Sequence, residues 1–489
     1  MLERMKGEWG LLILLILAVT AYRAWVVATS GLGLYIDEAQ YWYWAQNMDW
    51  GFYSKPPVIA AIIAATTSVC GDSEFCVRSG SLLFYPLSTL VLFLLARRLF
   101  DAKTALAAAV LFLTLPAVSL SSTLISTDVA LFFCWTLALY AFVRALASDS
   151  WGDWLLLGVA IGVGMLSKYT MGIFFVSALL YALVGKRLDL LLNMRAWVAV
   201  LLAALIFAPN LWWNWQHDFP TFQHTAEIAE VGSGWHLDGV ADFLGGQFGV
   251  FGLLLFPLFL WAIFVWKGKQ RALLLSFSLP FLLIISLQAL LGYANANWAA
   301  PTYVAATLLV SAWLFLPSPL EGEGSGVRGK KRKTFAVALL LNILLGLLVY
   351  HPAPLNHLLN TDLQKRLKGW EEIGQQYQSL QQRYPDALLL SESRAILSEL
   401  AYYARPQGLR GVSWNPQHLL RHHYDLVTTL EDNVGRDFLL VTDTGLPASA
   451  ASYFTSEEQV GNLHMDIHAR YKLDYKVWLL RGFKGLETQ

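Results

Sequence analysis

Two adjacent carboxylates, Asp37 and Glu38, follow the first apolar segment of the chain, and a lysine precedes two prolines at Lys55 to Pro57. A carboxylate can take a proton from a hydroxyl as general base, and a lysine can neutralise a phosphate whose charge grows as it leaves. Adjacent residues do not share a helical face, so the pair divides into a catalytic group, Asp37, and a neighbour, Glu38, that orients it or meets the next loop. The plainer alternative is that both cap the helix starting near Ala39, since acidic residues favour a first turn. Lys55 also has two readings. The prolines fix where its side chain projects toward a phosphate, or the lysine snorkels to the headgroup level.

Further along, Asp128 opens an apolar run in Ser126-Thr127-Asp128, Lys168 and Tyr169 sit at a break between two short apolar segments, and His217 ends another. Asp128 reads as a second acid facing Asp37 or as a helix N-cap. Lys168 has the same two readings as Lys55. His217 and His224 raise the question of a divalent metal, but the ligand spacing of a zinc site is missing, and the expected chemistry requires no cofactor.

These groups stand out because the rest of the chain is apolar. Of 489 residues, 56% are hydrophobic and 14% charged, with a mean hydropathy of +0.47, against about a quarter charged in an ordinary globular domain. The chain reads as a polytopic α-helical membrane protein. Formal net charge is 0, which offers nothing to a nucleic acid. The apolar run from Leu11 continues through Val27 without a cleavage site, so the first helix is expected to stay. Basic residues cluster at Arg4 and Lys6, at Arg97, Arg98 and Lys103, at Arg144, at Lys186 and Arg187, at Lys267, Lys269 and Arg271, and at Lys330 to Lys333. Placing every cluster in the cytoplasm yields one threading of about eleven transmembrane helices. The expected spans are 10–29, 79–98, 104–121, 128–147, 154–167, 171–185, 196–213, 248–266, 272–292, 298–316 and 335–350. In that threading Asp37, Glu38, Lys55, Asp128, Lys168 and His217 all fall on the outer face.

The expected organisation is a transmembrane domain over 1–350 and a C-terminal extracytoplasmic α/β domain over 351–489. The first outer loop, 30–78, is expected to hold helices along the membrane surface, at Glu38 to Asn47 and Pro57 to Val69, with aromatic rings in the headgroup zone. A second outer loop, 214–247, carries His217, Asp218, His224, Glu227, Glu230 and His236. The Pro-, Gly- and Ser-rich stretch 317–334 reads as a flexible cytoplasmic linker. In the C-terminal part, helices at 362–383 and 394–404 alternate with strands at 387–390, 438–442 and 475–481. Cys70 and Cys76 share the first outer loop, either as two small buried thiols or as a disulfide.

The segments YIDEAQYWYWAQNMDWGFYSKPP, GDSEFCVR, LISTDVALFFCWTLALYAF, GMLSKYT, PNLWWNWQHDFPTF and ANWAAP occur in this order over most of residues 35–301. Together they resemble the GT-C superfamily of polyprenyl-phosphate-sugar-dependent glycosyltransferases. The similarity is to bacterial relatives of the dolichyl-phosphate-mannose protein mannosyltransferases and of the lipid A aminoarabinose transferase. The resemblance implies a many-helix enzyme with catalytic acids at Asp37, Glu38 and Asp128, and Lys55 near the lipid phosphate. Lys168, Tyr169 and His217 complete the expected phosphate-binding set. The sequence departs from the aminoarabinose-transferase pattern at Ser54, where that group tends to have glutamate, and at Gln40, where it tends to have arginine.

The reaction expected is an inverting single displacement on a polyprenyl (undecaprenyl) phosphate sugar, with an envelope glycan, lipid or protein as acceptor, at the outer face of the bacterial inner membrane. A lipid-linked glycan ligase or polymerase is the nearer alternative. A secondary transporter is the more distant one, and it requires broken helices and internal repeats, neither evident in the sequence.

Overall fold

The structure is a computed structural model, and it describes residues 2–228, 234–316 and 325–486. Among the described residues, six helices are long and apolar enough to cross a membrane: Gly7–Thr29, Glu74–Leu99, Thr127–Ser148, Met194–Gln216, Arg271–Leu291 and Val327–Tyr350. A seventh candidate is the pair Leu237–Val250 and Leu255–Val265, bent by 103°. The remaining expected spans are shorter apolar helices, Ala102–Leu113, Trp151–Met165, Tyr169–Val184 and Thr302–Phe315. Each expected span therefore overlaps a helix or a helix pair, but six or seven segments, not eleven, are long and apolar enough to cross among the described residues; the protein is a multi-pass membrane protein. The bent pair is a broken segment that the sequence did not reveal, with its acidic residues Asp238 and Asp242 in the first half.

The chain forms two compact units. The first comprises Met1–Thr29, Lys55–Ile59 and Arg78–His351; the second comprises Ser30–Ser54, Ala60–Val77 and Pro352–Gln489. In the first unit the apolar core runs through Phe112, Trp135, Phe174, Phe277 and Phe281, with Trp135 edge-on to Phe174 and Phe281 at 5.2 and 5.4 Å. A tight polar turn reverses the chain between Thr127–Ser148 and Trp151–Met165. There Asp153, buried, pairs with Arg144 Nε at 2.7 Å and accepts from the hydroxyls of Ser148 and Ser150. The second helix of this hairpin thus returns to the level at which the first began, close to Asp128.

In the second unit five strands form one sheet. They are β1 (Leu388–Ser391), β2 (Val412–Ser413), β3 (Phe438–Thr442), β4 (Ser456–His468) and β5 (Tyr471–Arg481), in the order β2-β1-β3-β5-β4. β1 is parallel to β2 and β3, whereas β5 is antiparallel to β3 and β4. Strand β3 is buried at every position, as a continuous apolar run in mid-sheet should be. Helices Trp370–Gln381 and Arg394–Tyr403 pack together, and their apolar faces join Leu389, Leu439, Val477 and Leu479 in one core.

Several expectations change. The first-loop helices are present, Ile36–Gln46 and Val58–Cys70, but Trp42 and Trp44 are each 1% exposed and pack inside the second unit instead of facing headgroups. Trp42 meets Tyr402 edge-on at 5.0 Å, and Trp44 stacks on Phe52 at 4.6 Å. Cys70 and Cys76 form a disulfide. The second loop is largely helical, Pro220–Ile228 and Leu237–Val250, with Glu230 outside the described residues. Residues 317–324 of the expected linker also lie outside them. Its basic end, Lys330 to Lys333, belongs to the helix Ser325–Tyr350, since lysine and arginine are good helix formers and no proline interrupts the run.

Candidate active site

In the second unit, the helix Ile36–Gln46 begins at Tyr35, whose backbone N–H donates to Glu38 Oε2 at 2.9 Å. This is the reach-back of a capping box, and it satisfies a donor that the helix start would otherwise leave open. Glu38 is 1% exposed. Its carboxylate is therefore buried at the helix start, while Asp37, one residue earlier, keeps a side chain 41% exposed. Asp37 Oδ1 accepts from Arg394 Nη1 at 2.8 Å, and the same nitrogen donates to Gln40 Oε1 at 2.5 Å. The two acids thus differ in their surroundings: one is buried in a cap, and the other is accessible beside a cation.

In the first unit a second cluster forms at the open end of the hairpin. Asp128 lies in the first turn of Thr127–Ser148, and Lys168 follows the helix Trp151–Met165, so the reversal of the chain brings them together. Lys168 Nζ donates to Asp128 Oδ1 at 2.7 Å, with side chains 18% and 8% exposed, and Asn297 Nδ2 donates to Asp128 Oδ2 at 3.0 Å. Both carboxylate oxygens are thus held, by a cation and an amide. Such a carboxylate is suited to fixing the ammonium in place rather than to accepting a further proton.

Tyr169 extends the cluster sideways. Its hydroxyl donates to Asn210 Oδ1 at 2.8 Å and accepts from Asn214 Nδ2 at 3.2 Å, both asparagines being fully buried on Met194–Gln216. His217 caps that helix, with Nδ1 2.8 Å from Trp213 O and its ring stacked on the Trp213 indole at 4.4 Å. Lys55 enters through the backbone: Val58 N–H donates to Leu166 O at 3.1 Å, tying the Lys55-Pro56-Pro57 segment to the turn that carries Lys168. The first unit therefore gathers Asp128 and Lys168 into one ion pair and ties the Lys55 segment to it. Tyr169, in the turn Tyr169–Gly172 that follows Lys168, bonds to the adjoining asparagine-bearing helix, whose C-cap is His217.

Among the described residues, no group of three or more His, Cys, Asp or Glu side chains comes together as a metal ion would need. Four polar partners escaped the sequence reading. Asn210 and Asn214 carried a signal, being amides four residues apart in an apolar helix. Asn297 lies in the segment ANWAAP without a distinguishing neighbour. Arg394 gave none, since its partner is 357 residues away.

Comparison with known proteins adds four findings. Residues 54–213 match the family described as dolichyl-phosphate-mannose-protein mannosyltransferase. Over 456 residues, covering 90% of this chain and 92% of the relative, the sequence is 32% identical to a lipid A galacturonosyltransferase, RgtD, of Rhizobium johnstonii. It is 34% identical to an undecaprenyl phosphate-alpha-4-amino-4-deoxy-L-arabinose arabinosyl transferase of Pseudomonas aeruginosa, over 38% of this chain and 37% of that one. Among solved structures, the crystal structure of ArnT from Cupriavidus metallidurans bound to undecaprenyl phosphate superposes with a TM-score of 0.69 at 16% identity. That match covers 96% of this chain and 97% of that one, which is a likeness of fold.

Proposed function

Starting from the membership of this chain in the GT-C superfamily of polyprenyl-phosphate-sugar-dependent glycosyltransferases, we propose that it transfers a sugar from undecaprenyl phosphate to lipid A or the lipopolysaccharide core. The observation that carries the acceptor class is the near full-length similarity to a lipid A galacturonosyltransferase. Galacturonic acid is accordingly the sugar to test first.

In this reading about eleven helical segments cross the inner membrane. Both clusters lie on its periplasmic side, where a nucleotide sugar is not available and a lipid-borne donor is. The Cys70–Cys76 disulfide supports an oxidising location for the first loop. The exposed carboxylate of Asp37 takes the proton of an acceptor hydroxyl. That oxygen attacks the anomeric carbon, and the bond from that carbon to the phosphate oxygen breaks with inversion. Lys55 and Lys168 offset the charge left on undecaprenyl phosphate, Lys168 being held for the purpose by Asp128. Tyr169 and His217 line the approach of the phosphate. Glu38 sets the start of the helix that presents Asp37. No divalent metal is assigned a step, because a monophosphate leaving group can be stabilised by lysines alone.

The test is purified protein with undecaprenyl-phosphate galacturonic acid and lipid A, following free undecaprenyl phosphate and the mass of the acceptor. Release of the lipid phosphate together with a galacturonosylated acceptor is the expected result. Transfer of the aminoarabinose donor but not of the uronic acid would move the sugar assignment to the other relative. Well-folded Asp37→Asn should lose about 100- to 10,000-fold in kcat, the contribution of a general base. Turnover at the normal rate would sink that role.

A further inference from the structure

Arg394 opens the helix Arg394–Tyr403, whose N-cap, Ser393, accepts from Ile396 N–H at 3.5 Å. Its backbone is therefore fixed at the start of a helix whose apolar face packs into the core of the sheet-bearing unit. Its Nη1 contacts Asp37 Oδ1 at 2.8 Å and Gln40 Oε1 at 2.5 Å. Gln40 comes three residues after Asp37, so a single nitrogen bridges two neighbours on one face of the helix Ile36–Gln46. Gln40 is 1% exposed, which leaves its amide little freedom, whereas Asp37 and Arg394 have side chains 41% and 40% exposed.

An ion pair this open contributes little to stability. What it supplies is direction, with one carboxylate oxygen pinned and the other left to be presented in a fixed orientation.

We infer that Arg394 is a positioning residue for Asp37, and that the C-terminal segment thereby contributes to the active site. The inference rests on the assignment of Asp37 as the base. Arg394, itself held by Gln40, donates to Oδ1, and Oδ2 meets the acceptor hydroxyl. The helix packing supports this arrangement. Tyr402 donates to Asp72 O at 2.5 Å, and Leu34 N–H donates to Tyr403 at 2.7 Å, so the Arg394 helix is fastened to chain on both sides of the Asp37 helix.

The experiment is steady-state and single-turnover kinetics on the full chain, with the undecaprenyl-phosphate sugar and lipid A, for Arg394→Ala, Arg394→Lys and Asp37→Asn, and for Arg394→Ala combined with Asp37→Asn. Arg394→Ala should lower kcat by about 10- to 100-fold, the effect of misplacing a reacting group by about 1 Å, with KM for both substrates little changed. Arg394→Lys should recover most of the loss, because both contacts come from one nitrogen and need no guanidinium fork. With asparagine already at position 37, Arg394→Ala should cost nothing more. If Arg394→Ala does not fold, as judged by thermal unfolding in detergent, Arg394→Gln carries the same expectation. An Asp37→Asn enzyme at full rate would overturn the base assignment and this inference with it. An inactive Asp37→Asn beside an Arg394→Ala of normal kcat would overturn the inference alone, as would a loss that Arg394→Lys leaves unrepaired.

Discussion

Asp128 and Lys168 form the most enclosed ion pair of the first unit's candidate site, with side chains 8% and 18% exposed. Removing one member of such a pair leaves a charge without compensation, at a cost of about 3–5 kcal/mol, whereas replacing both by uncharged groups of similar size is often neutral. This asymmetry separates a structural role from a functional one. Lys168→Met should destabilise the protein and abolish turnover together. Combining it with Asp128→Asn should restore thermal stability while turnover stays low, because the Lys168 ammonium is gone and Lys55 alone is left to meet the phosphate. Melting of the purified variants in detergent and the release of undecaprenyl phosphate are the two measurements. Recovery of both would make the pair a structural strut. The types and common face of these two residues were readable in the sequence, but their direct pairing was not. It depends on the Trp151–Met165 helix ending where it does, and helix ends are poorly marked in an apolar run.

At the scale of elements, the site depends on the close approach of two helices, Trp151–Met165 and Met194–Gln216. A Cβ added at Gly158 would lie 2.7 Å from Ala199 O, and one at Gly162 would lie 2.8 Å from Ile206 Cβ. Small residues four apart let helices touch backbone to backbone, the main source of helix association within lipid. The first helix leads to Lys168 and the second carries Asn210, Asn214 and His217, so separating them spreads the site. Gly158→Ala is therefore expected to destabilise by about 1–3 kcal/mol, as overpacking does, and to raise KM for the lipid donor. An unchanged melting temperature would show that the helices can part without cost. Elements of this kind were legible in the sequence where hydropathy is sustained, as at 128–147 or 196–213. The strand cores at 438–442 and 475–481 were legible too. Strand β4 was not, because Ser456–His468 is mostly exposed and polar and owes its conformation to pairing with β5. The burial of Trp42 and Trp44 was equally hidden. An aromatic run looks the same whether it faces headgroups or a protein core supplied by residues more than 350 positions later.

At the scale of the whole molecule, the second unit is assembled from two distant stretches of chain, and a buried histidine lies where they meet. His423 stands edge-on to Trp44 and to Phe52, each at 5.4 Å, and burial pushes its pKa down to about 3. Its Nδ1 is buried and has no hydrogen-bond partner among the described residues. In the unfolded chain the same ring titrates near 6.5. Between these two values the unfolded state binds a proton that the folded state does not, so stability rises with pH in this window and is lost on acidification. By pH 4.5 the loss from this one group reaches about 2–3 kcal/mol. Asp425 acts lower on the scale. Burial raises its pKa, but its hydrogen bonds from Arg421 and Ser413, with the nearby His422, outweigh burial and hold it below the ordinary aspartate value, so its contribution fades only in stronger acid. Melting of the full chain in detergent between pH 7.5 and 4.5 should therefore show a falling midpoint that His423→Phe flattens. Phenylalanine keeps the ring contacts and removes the proton site, so it should also match or exceed the parent at pH 4.5. A variant that melts in parallel with the parent across the whole range would mean that His423 gains its proton without unfolding the unit. The two stretches would then be held together by their aromatic and hydrogen-bonded contacts alone.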